Sequence, residues 1–479
     1  MQRSRGMSVV EELEAAGEVL TPVVRGVILA LEATALRVES LEREVAELRA
    51  RLGMNSRNSS KPPSSDPPGT PRRSAAPTGR PPGGQKGHRG AHRDRLPADE
   101  QVPHRPSRCG SCGHDLSDLP EVGEPVCLQV VDLPERALRV TEHRLACVRC
   151  SRCGVRTRAR APEGVQGHAF GARLSALVSL LVGQCHLSRR LTQNVLAQLG
   201  REAAPSLGSV EALLQESRHA LSAPHREIRR EVQASRCVGV DESTWRTKRS
   251  RAWAWLATTR GATLFQISRS RGGRNLPHLL GRSYPGVVTS DRWSAYNRYP
   301  PERRQLCWAH LARNFTALEE RARDPEAARL GRGGVAITIR LFHHWHRFQA
   351  GLLSREELHE RLTPARRRMG ALIPYLLASE DRRARGLGRD LAAREEALWT
   401  FTHTEGVEPT NNQAERALRK LVLWRKTSFG SDSAGGVRFV ERILSVIETC
   451  RQQRKNAFDF LRDAILASRC STLPPSLFA

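Results

Sequence analysis

The sequence predicts a multidomain α/β protein, and three observations carry that expectation. Its 479 residues allow roughly two to four domains. Its apolar content, about 46% once glycine is counted and tyrosine is not, is that of an ordinary globular chain. Between Cys237 and Trp308, short β-prone runs bounded by turn residues surround a single helix-like stretch, whereas long segments elsewhere carry a helical pattern.

Composition excludes several classes of function. The best apolar stretch, Leu174 to Val182, is shorter than the roughly 20 residues a bilayer span needs, so no membrane partner is expected. Glu11, Glu12 and Glu14 interrupt the N-terminus before any hydrophobic run, which argues against a secretory signal. Eleven cysteines, an odd number, point to a reducing compartment and to metal ligation or free thiols, so a cytoplasmic protein is expected. The 77 Lys plus Arg against 50 Asp plus Glu leave a formal charge of +27. Only six of those cations are lysines, an arginine skew that coding bias alone can produce. Even so, so basic a chain has a polyanion as its default partner, with nucleic acid first.

The first element, residues 20–54, reads as a coiled coil. Val24, Leu31, Val38, Val45 and Leu52 repeat every seven residues, and Val27, Thr34, Leu41 and Leu48 repeat three positions later. That is the seam that keeps one stripe of a helix against a partner helix, and it predicts a homo-oligomer; a single amphipathic helix packed on its own protein is the alternative. Residues 55–106 hold eleven of the 28 prolines with many Ser, Gly and basic residues, which predicts a disordered basic linker. Residues 55–108 carry a net charge of +7, against −2 for residues 1–54, so the linker is suited to follow a phosphate backbone.

Residues 107–160 carry two C-x-x-C-G knuckles, Cys109–Gly113 and Cys150–Gly154. Four thiolates so spaced suit tetrahedral Zn²⁺, so Cys109, Cys112, Cys150 and Cys153 predict a structural zinc ribbon, with Cys127–Val131 and Leu138–Val140 as its strands. Cys147-x-x-Cys150 is a rival pair; Gly154 mirrors Gly113 and favours Cys150 with Cys153. Residues 161–232 read as helices, Leu187–Leu199 and Val210–Leu221 being separated by a short break, so a helix-turn-helix and plain packing helices are both open.

The chemistry-bearing stretch begins with the β run Cys237–Val240, which leads into Asp241 and Glu242. Arg251–Thr259 and Thr263–Ser268 are strand-like, Asn275–Leu280 is helix-like, and Gly286–Thr289 and Gln305–Trp308 are two more β runs. Three strands, a helix and two strands is the order of an RNase H-like mixed sheet. There the first and fourth strands are parallel neighbours, which would bring Asp241 and Asp291 to adjacent carboxyl ends. Two close carboxylates repel unless cations are shared between them, and oxygen donors with open positions suit Mg²⁺ (or Mn²⁺). A third carboxylate would complete a two-metal site for attack on a phosphodiester. The candidate is Glu415, on the first turn of a helix that Asn411 and Asn412 are suited to cap. Glu242 is the rival acid, turned away from Asp241 by strand alternation.

These motifs occur in a fixed order. Asn58-Ser-Ser-Lys-Pro-Pro-Ser-Ser-Asp66 follows the heptads, and then come the knuckles, Val240-Asp-Glu-Ser243, Ser290-Asp-Arg-Trp-Ser-Ala-Tyr296, Cys307-Trp-Ala-His310 and Thr410-Asn-Asn-Gln-Ala-Glu-Arg416. Arg425-Lys-Thr-Ser-Phe-Gly430 and Glu448-Thr-Cys450 close the series. The ordered set resembles the insertion-sequence-66 family of bacterial transposases, a DDE group, over nearly the whole chain from about residue 25. The resemblance implies cleavage of DNA at the ends of a mobile element and joining to a target. Asp241, Asp291 and Glu415 match the family triad position by position. It also explains the long gap between Asp291 and Glu415 as a helical insertion, residues 316–404, between two parts of the catalytic core, residues 233–315 and 405–479. Element ends and target DNA, a homo-oligomer and companion proteins of the same element are the partners so implied, in a nucleoid-associated setting.

Arg416, Arg419 and Lys426 suit phosphate contacts as well as they suit a solvated basic helix. His310 is placed either near the site or, as is commoner for a histidine packed after a tryptophan, in a structural position; Trp253, Trp255 and Trp308 read as core; His343, His344 and His346 read as a polar patch rather than a metal tract. Two alternatives to a transposase remain at this level: an RNase H-like nuclease without strand transfer, and a non-catalytic DNA-binding remnant. The heptads and two candidate DNA-binding modules argue against the first, and the intact acidic set against the second.

Overall fold

A computed structural model of the chain describes residues 9–52, 95–120, 122–123, 126–134, 137–165, 167–248, 250–322 and 324–479. Most of the expected 55–106 linker lies outside the described residues; its last part, 95–106, forms neither helix nor strand. The elements in chain order are α1 (Val9–Ala15), α2 (Pro22–Leu52), β1 (Cys147–Arg149), β2 (Arg156–Arg158), α3 (Ala172–Gly183), α4 (Arg189–Leu199), α5 (Leu207–Ala220) and α6 (Ser222–Ala234). They continue with β3 (Cys237–Thr247), β4 (Ser250–Thr258), β5 (Thr263–Ser268), α7 (Leu276–Leu280), β6 (Val287–Ser290), β7 (Arg304–Leu306) and α8 (Trp308–Arg321). Helices α9 (Pro325–Gln349), α10 (Arg355–Ala378), α11 (Arg382–Ala392), α12 (Asn412–Ser428), α13 (Ala434–Gln452) and α14 (Ala457–Arg469) complete the chain.

Strands β3 to β7 form one five-stranded sheet in the order β5-β4-β3-β6-β7. β4 and β5 are antiparallel, whereas β3 pairs with β6, and β6 with β7, in parallel. The first and fourth strands of the series are therefore parallel neighbours, as the sequence predicts. One expectation is corrected: Asp241 does not end its strand, because β3 runs on for six more residues to Thr247. β6 pairs only with the first part of β3, Cys237–Gly239, and the remainder of the strand continues beside β4.

Two compact units divide the chain. The first comprises residues up to 73, 236–241 and 285–415. Its core joins β6, β7 and α8 to the expected insertion, with Trp308, Phe315, Leu341, Leu362, Met369, Trp399 and Phe401 in one buried cluster. The insertion helices start where their caps dictate. Asp324 accepts from the amides of Glu326 and Ala327 ahead of α9, and Ser354 with Glu357 forms a capping box on α10. A side-chain carbon at Gly334 would lie 2.2 Å from the ring of Phe315, so glycine is what lets α9 approach α8. The sheet edge at β7 is covered from the end of the insertion: Thr400 donates to the Arg304 carbonyl at 2.7 Å and the Phe401 amide donates to the Gln305 side chain at 2.9 Å. Also in this unit, the heptad stripe of α2 is exposed at Val24, Val27, Leu31, Val38, Leu41, Val45 and Leu48.

The second unit comprises residues 74–235, 242–284 and 416–479. There the opposite edge strand, β5, is capped by one face of α13. Glu441, Ser445 and Thr449, four residues apart, accept from the amides of Ile267, Phe265 and Thr263 at 2.6, 2.9 and 3.1 Å. A helical period of about 3.6 residues against a strand period of 2 makes this match work: a step of four on the helix meets every second residue of the strand. Helices α3, α5, α13 and α14 pack behind it, with Ser179 and Ser217 hydrogen-bonded at 2.6 Å between α3 and α5. The ribbon strands differ from the expectation. Cys127–Val131 and Leu138–Val140 are not strands, and the hairpin is β1 with β2, folded around the second knuckle. Among the described residues no helix is long and apolar enough to cross a membrane.

Candidate active site

The parallel pairing of β3 with β6 ends at Gly239 with Thr289, two residues before Asp241 and two before Asp291. Asp291 follows the last residue of β6, Ser290, whose carbonyl accepts from the amide of Cys307, the residue that follows β7. Glu242 is turned to other work: its carboxylate, 2% exposed, is paired with Arg271 at 2.9 Å.

Asp291 is held by local geometry. Its Oδ1 accepts from the amide of Trp293 at 2.9 Å, the side chain closing the turn that follows β6. Its carbonyl accepts from Arg304 Nη2 at 2.8 Å, and the same guanidinium donates to Asn297 at 2.9 Å and Ser290 Oγ at 3.3 Å. Arg304 is fully buried, and desolvation pulls it down to about 10, against the pull of nearby Asp291 and Asp390. Next in sequence, Arg292 bonds Asn314 of α8 at 3.1 Å and Asp390 of α11 at 2.6 Å, tying the turn to the insertion.

Glu415 sits in the first turn of α12, as expected. The capping expectation is corrected, since the Asn411 side chain does not cap the helix. Its amide donates to the Val240 carbonyl at 2.8 Å, beside Asp241, and its oxygen has no hydrogen-bond partner. The backbone amide of Asn411 donates to Cys307 Sγ at 3.2 Å, and the amide of Trp308 to the Pro409 carbonyl at 2.8 Å. Pro409–Asn411 is thereby stitched to β3 on one side and to the start of α8 on the other. Glu415 Oε1 lies 3.5 Å from His310 Nδ1 and 4.0 Å from Arg313, and neither Oε1 nor Nδ1 has a hydrogen-bond partner. Burial lowers the His310 pKa, reinforced by Arg313 and opposed by Glu415 and Asp291. His310 thus stands within the field of two of the three expected acids, rather than in a purely structural position.

The metal-ligand pattern is divided. Among the described residues, the group of three or more His, Cys, Asp or Glu ligand atoms within 4.8 Å of one another is Cys307, His310 and Glu415, which contains neither Asp241 nor Asp291. An orphaned buried carboxylate oxygen on Glu415, with Asp241 and Asp291 each two residues beyond the last β3–β6 pair, is nevertheless the oxygen-donor type that suits hard divalent cations. The two Cys knuckles are formed separately. In each, the glycine adopts φ near +70°, its amide donates to the first cysteine's carbonyl at 2.9 Å, and main-chain amides lower the first thiol's pKa. The four thiols Cys109, Cys112, Cys150 and Cys153 are not gathered into one such group here.

Arg416, Arg419 and Lys426 are exposed at helical spacing on α12. Trp255 and Trp308 are core, as expected, and Trp253 lies under the Arg271 guanidinium. His343 and His346 line an apolar groove on α9 and belong to no metal-ligand group among the described residues. Sequence reasoning missed Arg304, Arg292 and the tie made by Asn411. Arg304 carries no signal in a chain with 77 basic residues, whereas Asn411 and Cys307 lay inside motifs already singled out.

Residues 168–438, more than half of the chain, match the Transposase IS66 family. The chain belongs to that family. The match takes in all three acids, the insertion and Cys307–His310 of this IS66-family chain. Residues 6–94 match a separate family of unknown function (DUF6444). The chain is also 24% identical over 264 residues to the uncharacterized protein y4qI of Sinorhizobium fredii, covering 48% of this chain and 47% of that one. The chain thus spans about half the length of the curated relative it matches.

Proposed function

We propose that this IS66-family chain is a DNA transposase whose acids Asp241, Asp291 and Glu415 act on phosphodiesters at the ends of a mobile element. The observation that supports the reading is the parallel pairing of β3 with β6, which ends two residues before Asp241 and two before Asp291, with Asn411 tying the start of the helix of Glu415 to β3. The mixed sheet, with the first strand parallel to the fourth and the fourth to the fifth, supports reading the core as RNase H-like. Two Mg²⁺ (or Mn²⁺) ions held by the three carboxylates would supply Lewis-acid activation of the attacking and leaving oxygens. The chain's own part is to fix those carboxylates: Arg304 and the Trp293 amide orient Asp291, and Asn411 orients the start of α12. Water cleaves the element end and leaves a 3′-hydroxyl, which then attacks a target phosphodiester and displaces a second 3′-oxygen.

Arg416, Arg419 and Lys426 bind phosphates along exposed α12, and helices α3–α6 with the Cys knuckles contact double-stranded DNA. Cys109, Cys112, Cys150 and Cys153 would hold a structural Zn²⁺. The uncovered stripe of α2 supports self-association, which pairing two element ends requires. Companion proteins of the same element and a nucleoid-associated, cytoplasmic setting complete the reading.

The test is strand transfer by purified full-length protein with Mg²⁺ and the DNA flanking its own gene, comparing wild type with Glu415→Gln. Joined products that disappear in the variant are the expected result. Cleavage without joining would replace the reading with a nuclease, and binding without cleavage in both proteins would replace it with a DNA-binding remnant.

A further inference from the structure

Cys307 and His310 share the C-x-x spacing of the knuckle cysteines and are a pair that the reading above does not use. Cys307 Sγ accepts from the amide of Asn411 at 3.2 Å, and the residue stands at the N-cap position of α8 with no side-chain cap hydrogen bond. Here the second ligand position is a histidine, and the third ligand comes from α12: the Cys307, His310 and Glu415 ligand atoms all lie within 4.8 Å of one another. The His310 Nδ1 and Glu415 Oε1 atoms are both buried and without hydrogen-bond partners.

We propose that Cys307, His310 and Glu415 form a binding site for a soft divalent cation of the Zn²⁺ class. Sulfur, nitrogen and one carboxylate oxygen are the donor set of a tetrahedral Zn²⁺ or Co²⁺ site with one open position, and a poor set for Mg²⁺. A thiol gives up its proton to ligate a metal, so binding releases a proton to solvent. Arg313, 4.0 Å from Glu415 Oε1, is beyond hydrogen-bond range and moves aside or turns to the other carboxylate oxygen on binding. The site shares Glu415 with the proposed phosphodiester chemistry. A Zn²⁺-class ion there withdraws that carboxylate and inhibits cleavage; this consequence, unlike the binding itself, rests on the proposed function.

The test is Co²⁺ titration of the full-length protein without DNA, reading the thiolate-to-cobalt charge-transfer band and the visible d–d bands. Wild type is expected to take up one equivalent more than Cys307→Ser, with a matching loss of charge-transfer intensity. His310→Gln is expected to weaken that equivalent at least tenfold while keeping the same far-ultraviolet circular dichroism. A Cys109→Ser/Cys150→Ser variant retains the Cys307-dependent band, which separates it from the knuckles. Equal stoichiometry and spectra in wild type, Cys307→Ser and His310→Gln would overturn the proposal. In Mg²⁺-dependent cleavage, micromolar Zn²⁺ is expected to inhibit wild type and to require at least tenfold more for Cys307→Ser, each compared with its own zinc-free rate. Cobalt binding without any cleavage activity in Mg²⁺ would leave the site standing and remove the transposase reading instead.

Discussion

The side-chain amide of Asn411 donates to the main-chain carbonyl of Val240 at 2.8 Å. One bond thereby ties the residue before α12, four before Glu415, to the residue before Asp241. Asn411 is buried, and its backbone amide is bonded separately to Cys307, so the side chain is committed to this tie. Asn411→Ala leaves the Val240 carbonyl buried without that donor, at a cost of about 1–3 kcal/mol. Chemical denaturation should show that loss, and strand transfer should fall further than the stability change explains, because the spacing between Asp241 and Glu415 loosens. Unchanged activity in a destabilised variant would mean that the tie serves folding alone.

Arg304 makes a stronger demand on the fold. It is fully buried, with three acceptors around Asp291 and, among the described residues, no carboxylate in bonding contact. Arg304→Leu strands those acceptors and should cost at least about 2 kcal/mol in urea unfolding. Arg304→Lys should recover only part of it, since a single ammonium cannot reproduce the forked geometry. A leucine variant as stable as wild type would contradict the role given to the guanidinium.

His225 of α6 predicts a pH dependence. Burial, reinforced by Arg229, pushes it down to about 4, while its Nε2 faces the Phe265 carbonyl at 3.5 Å. The folded value lies below the unfolded one near 6.5, so the folded state favours the neutral ring. This contribution is therefore complete above pH 6.5 and is lost as pH falls from there towards 4, reaching on the order of 3 kcal/mol below that. Melting curves between pH 7.5 and about 4.5 should drop more steeply for wild type than for His225→Gln; parallel curves would rule out this residue as the source.

The basic stripe of α12 predicts a salt effect. Each of Arg416, Arg419 and Lys426, if it neutralises one phosphate, adds about 0.9 to the slope of log affinity against log salt. Single alanine variants should each flatten the slope by about that amount in fluorescence anisotropy with element-end DNA. A triple variant with the wild-type slope would move the DNA path elsewhere on the protein.

The edge strands show where local pattern stops being informative. β4 and β5 alternate visibly, and their hairpin is legible because pairing is local. What protects β5 is not local: Glu441, Ser445 and Thr449 are more than 170 residues away and look like ordinary polar positions on α13. The same holds at β7, where the insertion's Thr400 and Phe401 meet Arg304 and Gln305 across 96 residues.

The sequence by itself determined the strand order of the sheet, the knuckle motifs and, through its ordered motifs, the family, since each is carried by periodicity, turn chemistry or residues within short windows. The tertiary structure alone decided that β3 continues beyond Asp241, that Asn411 ties rather than caps, that Glu242 is consumed by Arg271, and that Cys307, His310 and Glu415 converge. Those outcomes depend on which distant groups meet in the folded chain. A buried donor takes whichever acceptor the packing brings to it, and no window of sequence contains both partners.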